Sequence, residues 1–402
     1  MTDPEGDRVL QYPTHAELIE STSLPEPAAA TALDAIIVPA ARSAENLRTA
    51  AELATETGAR LIVLCSFRAH VDDVRALLAK YELHEPAVVE MPAEQDDWIL
   101  SDFETTRWVH GAGKGVCGIR NSDLSMKRNT GLLLARMLGW KLIFFLDDDI
   151  RGVSAETVLS TVSLLGQGGD SYRTAAMSVQ DYPDNSVVCH ARRAVGAYQD
   201  VFVSGSALAV DCGVPFGFFP DLYNEDWLFF YRDAAEERLA TPGSLAEQLP
   251  YDPFTDPQRA AGQEFGDVIA EGLYSLLHSS LGIDAADEGY WEQFLKQRNT
   301  VLDDVTRHLP ALPPSLRGEM SKAIGAAQQV LWDITAKMCV DYLAAWQRDL
   351  GRWDKLLANL PQVSSLQDAL GIMGSFKASP AAQAAGLSVR GGADHSLVPC
   401  PQ

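Results

Sequence analysis

The stretch K-L-I-F-F-L-D-D-D-I-R-G occupies residues 141–152 of a 402-residue chain and carries its strongest structural signal. The five consecutive apolar residues 142–146 are typical of a strand buried on both faces, as in a parallel sheet. Three carboxylates follow at once, Asp147, Asp148 and Asp149, and they repel one another unless something positive lies between them. The stretch therefore predicts a central strand whose carboxyl end is a candidate functional site.

Short apolar segments and amphipathic helices alternate around this strand. The predicted strands are residues 35–38, 61–64 and 87–90, and the predicted helices are 43–57, 70–80, 122–138 and 152–165. Two later segments, 186–190 and 200–210, have a strand-like composition. Strands that alternate with helices of this length predict a doubly wound α/β sheet, which binds ligands at the carboxyl ends of its strands.

Composition divides the chain into four segments. Residues 1–33 are polar and rich in Pro and Ala, which predicts a flexible N-terminal arm, and residues 34–256 hold the α/β pattern. Residues 257–375 are almost continuously helical, with predicted helices at 257–281, 286–308, 314–348 and 350–358. Residues 376–402 are rich in Ala, Gly, Ser and Pro and predict a disordered tail. The amphipathic helices of the third segment fit two roles, shaping an acceptor pocket or pairing subunits in a homo-oligomer.

Charge and cysteine content limit the classes of partner and compartment. The formal net charge of −23 argues against sequence-independent binding to nucleic acid and against anionic membranes. The six cysteines contain no C-x-x-C pair, which is typical of reduced thiols in a cytoplasmic protein. The acidic N-terminus M-T-D-P-E-G-D-R is unlike a signal peptide, and no apolar run approaches the length of a membrane span. We therefore expect a cytoplasmic protein with no membrane span.

The three carboxylates predict a divalent metal site. If the strand geometry continues past residue 146, Asp147 and Asp149 point to one side of the sheet and Asp148 to the other. Mg²⁺ or Mn²⁺ between the first two would offset their repulsion, because these ions take oxygen ligands from carboxylates and phosphates. One alternative is a solvated acidic turn that caps the next helix. A phosphatase of the haloacid dehalogenase type is another, but Arg151 stands where its D-x-D-x-T motif has Thr.

Four segments, in order, resemble glycosyltransferases of the GT-A fold, most closely family 2 in its broad sense. They are A-I-I-V-P-A-A-R-S-A-E-N-L (35–47), K-R-N-T-G-L-L-L-A (127–135), F-F-L-D-D-D-I (144–150) and V-S-G-S-A-L-A-V (203–210) with F-F-P-D-L-Y-N-E-D-W (218–227). The third is a D-D-D-I variant of the D-x-D motif, and the last contains an E-D motif. Covering about residues 34–230, the resemblance implies a GT-A (Rossmann-like) domain that transfers a sugar from a nucleotide diphosphate donor with Mn²⁺ or Mg²⁺.

The resemblance implies roles for individual residues. Metal ligands would be Asp147, Asp149 and His278, with His190 as the alternative histidine. Donor-binding residues would be Pro39, Ala40, Arg42, Lys127, Arg128, Asn129, Gly131 and Asp148. Gly205 and Trp227 would lie on the acceptor side, where an inverting enzyme needs a base for the acceptor proton. Asp226 is the first candidate for that base and Glu225 the second.

Several features leave alternatives open. The segment L-C-S-F (64–67) lacks the acid that often contacts the base in this family, so the nucleotide is undetermined, as are the sugar and the acceptor. A non-catalytic GT-A-like binding or scaffold protein would have the same fold. Another nucleotide-using transferase, such as a nucleotidyltransferase, would carry a Gly- and Lys-rich loop after the first strand, where this chain has A-A-R-S-A-E.

Overall fold

The computed structural model describes residues 9–10, 15–25, 32–92, 100–118, 122–166, 172–180, 186–198, 203–375 and 397–399. Its strands are β1 (Glu20–Ser21), β2 (Ala35–Ala40), β3 (Arg60–Cys65), β4 (Ala87–Glu90), β5 (Leu142–Leu146), β6 (Ile150–Arg151), β7 (Thr174–Ala176), β8 (Ser178–Gln180), β9 (Ala207–Asp211), β10 (Leu239–Thr241), β11 (Ser244–Gln248) and β12 (Leu397–Pro399). Its helices are α1 (Arg48–Thr57), α2 (Val71–Leu78), α3 (Glu104–His110), α4 (Lys114–Cys117), α5 (Leu124–Leu138), α6 (Ala155–Val162), α7 (Val187–Ala194), α8 (Glu225–Ala235), α9 (Pro257–His278), α10 (Glu288–His308), α11 (Pro314–Asp333), α12 (Ala336–Asn359) and α13 (Leu366–Ser375).

The central sheet is mixed and mostly parallel. Its seven principal strands lie in the order β10, β7, β9, β5, β2, β3 and β4, and the short strands β1 and β12 extend its two edges. Strand β9 runs antiparallel to both of its neighbours, β5 and β7. The predicted α/β fold with a helical C-terminal region is thus confirmed, and β9 makes the sheet mixed rather than wholly parallel.

The two faces of the sheet carry two hydrophobic cores, because successive side chains of a strand point to opposite faces. Phe144 of β5 belongs to the core formed with α1, α2 and α6. Its neighbour Phe145 belongs to a larger core that contains α5 and the helices α9 to α12. The C-terminal helices therefore share one continuous core with the sheet.

Most local predictions are confirmed, and the boundaries of two helices follow from their glycines. The strands at 35–38, 61–64 and 87–90 form β2, β3 and β4. Gly58 and Gly139 end α1 and α5 in the left-handed conformation, with φ of 70° and 69°. That conformation suits glycine because it has no Cβ to clash with the backbone.

The strand expected at 186–190 is wrong, because these residues begin helix α7. The side-chain oxygen of Ser186 accepts a hydrogen bond from the backbone N–H of Cys189 at 3.3 Å, and so caps the helix. The periodicity of a short apolar run does not distinguish a strand from a buried helix. Here the cap at Ser186 favours the helix.

The single helix expected at 314–348 is also wrong, since α11 and α12 are separated at residues 334–335. Thr335 caps α12 by accepting a hydrogen bond from the backbone N–H of Met338 at 3.2 Å. Helix α12 then continues through the residues that had been expected to form a separate helix at 350–358.

The terminal segments are only partly described. The N-terminal arm contains a short 3-10 helix at His15–Leu18, and the backbone N–H of Leu10 donates to Asp304 of α10 at 2.9 Å. Of the predicted tail 376–402, residues 376–396 and 400–402 lie outside the described residues, and 397–399 form β12. No helix within the described part of the chain is both long and apolar enough to cross a membrane.

The packing of α5 on the sheet gives a stability prediction for Gly131. A Cβ at Gly131 would lie 2.9 Å from Phe145 and 3.0 Å from Ile37. We expect Gly131→Ala to lower the free energy of unfolding by about 1–3 kcal/mol through overpacking, although alanine favours helices. The matched control is Gly325 of α11, where an added Cβ meets nothing within 4 Å.

Urea denaturation of both variants tests this interpretation. Gly325→Ala should stabilise the protein by about 0.5–1 kcal/mol, the ordinary gain for glycine to alanine inside a helix. If Gly131→Ala stabilises the protein to the same extent, α5 does not pack against the sheet as closely as described.

Candidate functional site

The three carboxylates form a turn after β5 rather than a continuation of the strand. The backbone N–H of Ile150 donates to the carbonyl of Asp147 at 3.1 Å, which closes the turn. Asp148 and Asp149 both reach Arg42, whereas Asp147 reaches Arg128. The strand alternation that would turn Asp147 and Asp149 to one side and Asp148 to the other does not continue here, because the strand geometry ends at Leu146.

Asp148 ties the turn to the end of β2. One of its oxygens accepts hydrogen bonds from the backbone N–H groups of Ala41 and Arg42, both at 2.7 Å. Its other oxygen accepts from the Arg42 guanidinium at 2.5 Å. The side chain is only 2% exposed, so Asp148 acts as a buried cross-link between two neighbouring strand ends.

Asp149 lies between Arg42 and the small three-stranded sheet of β6, β11 and β8. Its carboxylate accepts from Arg42 at 2.7 Å and from the side-chain amide of Gln248 at 3.2 Å. Burial raises the pKa of Asp149, Arg42 lowers it, and Asp148 raises it again. The Arg42 side chain is 39% exposed. Solvent therefore reaches this arginine far more than the two carboxylates with which it pairs.

Arg128 joins the turn to the start of α8. Its guanidinium lies 3.0 Å from Asp147 and 3.0 Å from Glu225. The side chain is 3% exposed and lies over the ring of Phe219, 5.5 Å from its centre. Burial alone would lower the pKa of Arg128, but Asp147 and Glu225 outweigh burial and raise it. The structure thus brings together three residues that the sequence placed in the site.

Asp147 holds a proton more tightly than an ordinary carboxylate. Burial raises its pKa to about 7, although the neighbouring Arg128 lowers it. Asp149 and Asp148 raise the pKa further, because each adds a like charge. Asp147 is therefore buried beside like charges, a setting in which an added cation would favour its ionised form.

Gly205 brings Asp226 beside Arg128. The backbone N–H of Gly205 donates to Asp226 at 2.8 Å, and the backbone N–H of Trp227 donates to its other oxygen at 2.9 Å. A Cβ at Gly205 would lie 2.7 Å from the Arg128 guanidinium. Only glycine allows so close an approach at this position. These contacts hold the Asp226 carboxylate in one orientation at the first turn of α8.

The remaining donor-side candidates have buried structural contacts. Pro39 and Ala40 lie in β2, and the Lys127 amine donates to the Ala40 carbonyl at 2.8 Å and to Ser66 at 2.6 Å. Burial lowers the pKa of Lys127, and Asp123, 2.9 Å away, opposes that effect.

Asn129 ties α5 to the chain segment before α8. Its side-chain amide donates to the Phe219 carbonyl at 2.6 Å and accepts from the Phe219 N–H at 2.8 Å. Gly131, as described above, packs against the sheet. Lys127, Asn129 and Gly131 thus fix the helix that carries Arg128.

The structure does not bring His278 to the carboxylate turn. His278 lies at the last turn of α9 with its ring 5.2 Å from that of His15, which in turn contacts the rings of Trp227 and Tyr274. The alternative, His190, lies 3.3 Å from the hydroxyl of Tyr251. Among the described residues, no group of three or more His, Cys, Asp or Glu side chains could hold a metal ion.

Sequence reasoning missed two residues that complete the site. Gln248 reaches Asp149 from β11, far away along the chain, and nothing in its sequence neighbourhood marks it. Asn224 precedes the E-D motif in the left-handed conformation, with φ of 61°. The preference of asparagine for this conformation was the available signal.

Comparison of the chain with protein-family models and with curated proteins finds no match in either. The site is therefore interpreted from its own geometry and chemistry.

The raised pKa of Asp147 gives a pH-dependent stability prediction. Its folded-state pKa of about 7 lies above the ordinary value of 3.8, so the folded state binds more protons between these pH values. Wild-type stability should therefore fall, relative to Asp147→Asn, as the pH rises through this window. The slope is at most about 1.4 kcal/mol per pH unit.

Urea denaturation between pH 4 and pH 7.5 measures this difference. The control is Asp341→Asn, which removes an exposed carboxylate paired with Lys337 on the surface of α12. If the difference in the free energy of unfolding between wild type and Asp147→Asn stays constant with pH, the raised pKa of Asp147 is contradicted.

Proposed function

We propose that this chain is a metal-dependent glycosyltransferase that moves a sugar from a nucleotide diphosphate sugar to an acceptor hydroxyl, with inversion. The observation that carries the proposal is the meeting of the Asp147–Asp149 turn with the E-D motif through Arg128. These groups are far apart in sequence and belong to two of the motifs that resemble glycosyltransferases. The helical C-terminal region would then form part of the acceptor side.

The sheet supports the resemblance to the GT-A fold. Numbered along the chain, its seven principal strands follow the order 3-2-1-4-6-5-7, with only the sixth strand antiparallel to its neighbours. A mixed, mostly parallel sheet is compatible with the Rossmann-like domain that the resemblance implies. The carboxylate turn follows the fourth strand and the E-D motif follows the sixth, and these two strands are neighbours in the sheet. Fold alone does not establish function, so the proposal rests on the site.

The carboxylate turn fits a divalent metal that the substrate helps to bind. Its donors are all oxygens, which Mg²⁺ and Mn²⁺ prefer, and a cation would offset the repulsion that Asp149 and Asp148 exert on Asp147. These ions commonly take one or two protein carboxylates together with substrate phosphates. Asp147 and Asp149 are the residues that would hold the ion. When bound, it would offset the negative charge that develops on the departing nucleoside diphosphate.

The two arginines have different parts in this proposal. Arg42 is partly exposed and can turn from Asp148 and Asp149 to a donor phosphate, for which its planar guanidinium is well suited. Arg128 is buried and shared between two carboxylates, so it orients Asp147 and Glu225 without leaving its place. When Arg42 turns to the donor phosphate, Asp149 loses its pairing with Arg42 and becomes available to a metal ion.

Asp226 is the proposed base. Its two oxygens accept backbone hydrogen bonds from Gly205 and Trp227, which fix the carboxylate in one orientation. The remaining lone pairs of an ionised carboxylate can accept the proton of an acceptor hydroxyl. Glu225, by contrast, is 5% exposed and paired with Arg128, so its role is to hold the arginine.

A non-catalytic binding protein remains the second candidate, and one observation favours it. Asp148 and Asp149 are already paired with Arg42, and such a satisfied cluster could persist in a domain that binds nucleotides without turnover. The two functions differ in whether a donor is consumed.

Turnover of a panel of UDP-, GDP- and dTDP-sugars with Mn²⁺ tests the proposed function. We expect hydrolysis of at least one donor that stops when the metal is removed. Asp149→Asn should lower metal-dependent donor binding at least about tenfold, because it removes one charged ligand. Asp226→Asn should keep donor binding and lower turnover about 10²–10⁴-fold, the usual contribution of a general base.

Asp341→Asn, far from the site on α12, is the control and should behave like wild type. Metal-dependent donor binding with no turnover of any donor supports the binding protein instead. If Asp226→Asn turns over donor at the wild-type rate, the base assignment is wrong.

A further inference from the structure

Helix α9 contacts the segment 223–227, which contains the E-D motif, at three points. Gly266 packs on the backbone of Tyr223 so closely that a Cβ would lie 2.2 Å from the Tyr223 carbonyl oxygen. Asp267 accepts a hydrogen bond from the side-chain amide of Asn224 at 2.9 Å. Further along the helix, the hydroxyl of Tyr274 donates to the carbonyl of Trp227 at 2.9 Å.

The backbone of the segment takes an uncommon conformation at Asn224. Its φ is 61°, in the left-handed region that asparagine adopts more readily than most non-glycine residues. The direction of the chain at Asn224 sets where Glu225 and Asp226 point. Its side-chain bond to Asp267 holds that conformation, and the Tyr274 bond fixes the other end of the segment at Trp227.

Asp267 is itself held rigidly from α10. The guanidinium of Arg298 donates to Asp267 and to Glu264, each at 2.8 Å, and these three side chains are at most 3% exposed. Arg298 also donates to Glu271 at 2.8 Å. A buried network of this kind is costly to distort, since each charge would lose its partner. Helix α9 therefore presents Asp267 at a fixed position.

We propose that Asp267 and Tyr274 are positioning residues, through which the C-terminal helices hold the E-D motif in its working orientation. This inference rests on the proposed function, because it assigns the helical region a part in the reaction. The two residues act through Asn224 and Trp227 and do not touch the substrate. Loosening them should slow the step that uses Asp226 and leave donor binding unchanged.

Two tyrosines on neighbouring helices provide a matched test. Tyr274→Phe removes the hydroxyl that donates to Trp227, whereas Tyr290→Phe removes a hydroxyl that donates to the carbonyl of Gly272 at 2.6 Å. Both changes delete one hydrogen bond to a helix carbonyl, but only the first touches the segment 223–227. Asn224→Gly is a second variant, because glycine tolerates the left-handed backbone and the change removes the side-chain bond to Asp267.

The experiment combines steady-state hydrolysis of the donor with hydrogen exchange of the amides of residues 225–228. We expect Tyr274→Phe and Asn224→Gly to lower kcat about three- to tenfold, with the donor KM unchanged and local exchange faster. Tyr290→Phe should match wild type in both measurements. The inference is overturned if Tyr274→Phe and Tyr290→Phe behave alike, or if Tyr274→Phe raises the donor KM without changing kcat.

Hydrogen exchange also separates this inference from the proposed function. If wild type turns over no donor, the proposed function fails, and the exchange rates alone decide whether α9 holds the segment. Faster exchange in Tyr274→Phe but not in Tyr290→Phe then supports positioning, whereas equal exchange in the two variants overturns it.

Discussion

The site depends on one interaction, the buried cation Arg128 shared between Asp147 and Glu225. A buried guanidinium without partners is strongly destabilising, so both carboxylates must stay close to it. Asp147 belongs to the turn after β5, and Glu225 begins α8. The requirement for charge pairing therefore fixes the distance between the carboxylate turn and the E-D motif, which are the proposed donor and acceptor halves of the site.

Other features follow from the position of Arg128. Gly205 must lack a side chain because the guanidinium occupies the space where a Cβ would be. The backbone N–H of Gly205 donates a hydrogen bond to Asp226. Asn129, next in sequence to the arginine, ties α5 to Phe219, over whose ring Arg128 lies. One buried charge thus explains why a glycine, an asparagine and an aromatic residue converge from separate segments.

Much of the fold could be predicted from local sequence. The apolar run before Asp147 is confirmed as the central strand β5, and Gly58 and Gly139 are confirmed as helix ends. These features depend on hydrophobic patterning and backbone preference, which neighbouring residues reveal. The strand expected at 186–190 failed because a short apolar run does not distinguish a strand from a buried helix.

The geometry of the candidate site was harder to predict, because long-range partners set it. Strand alternation placed Asp147 with Asp149, but the turn gives Asp148 and Asp149 a common partner in Arg42. No local pattern showed that Gln248 would reach Asp149, or that α9 would hold Asn224. These contacts join residues far apart in the chain, and only the folded arrangement brings them together.

The central claim is that the carboxylate turn binds a divalent metal together with a nucleoside diphosphate. The most direct measurement is the affinity for Mn²⁺, followed by electron paramagnetic resonance, in the presence and absence of UDP, GDP or dTDP. The account predicts that at least one of them raises the affinity about tenfold or more, since coupled ligands strengthen each other's binding. Equal Mn²⁺ affinity with and without every nucleoside diphosphate would contradict it.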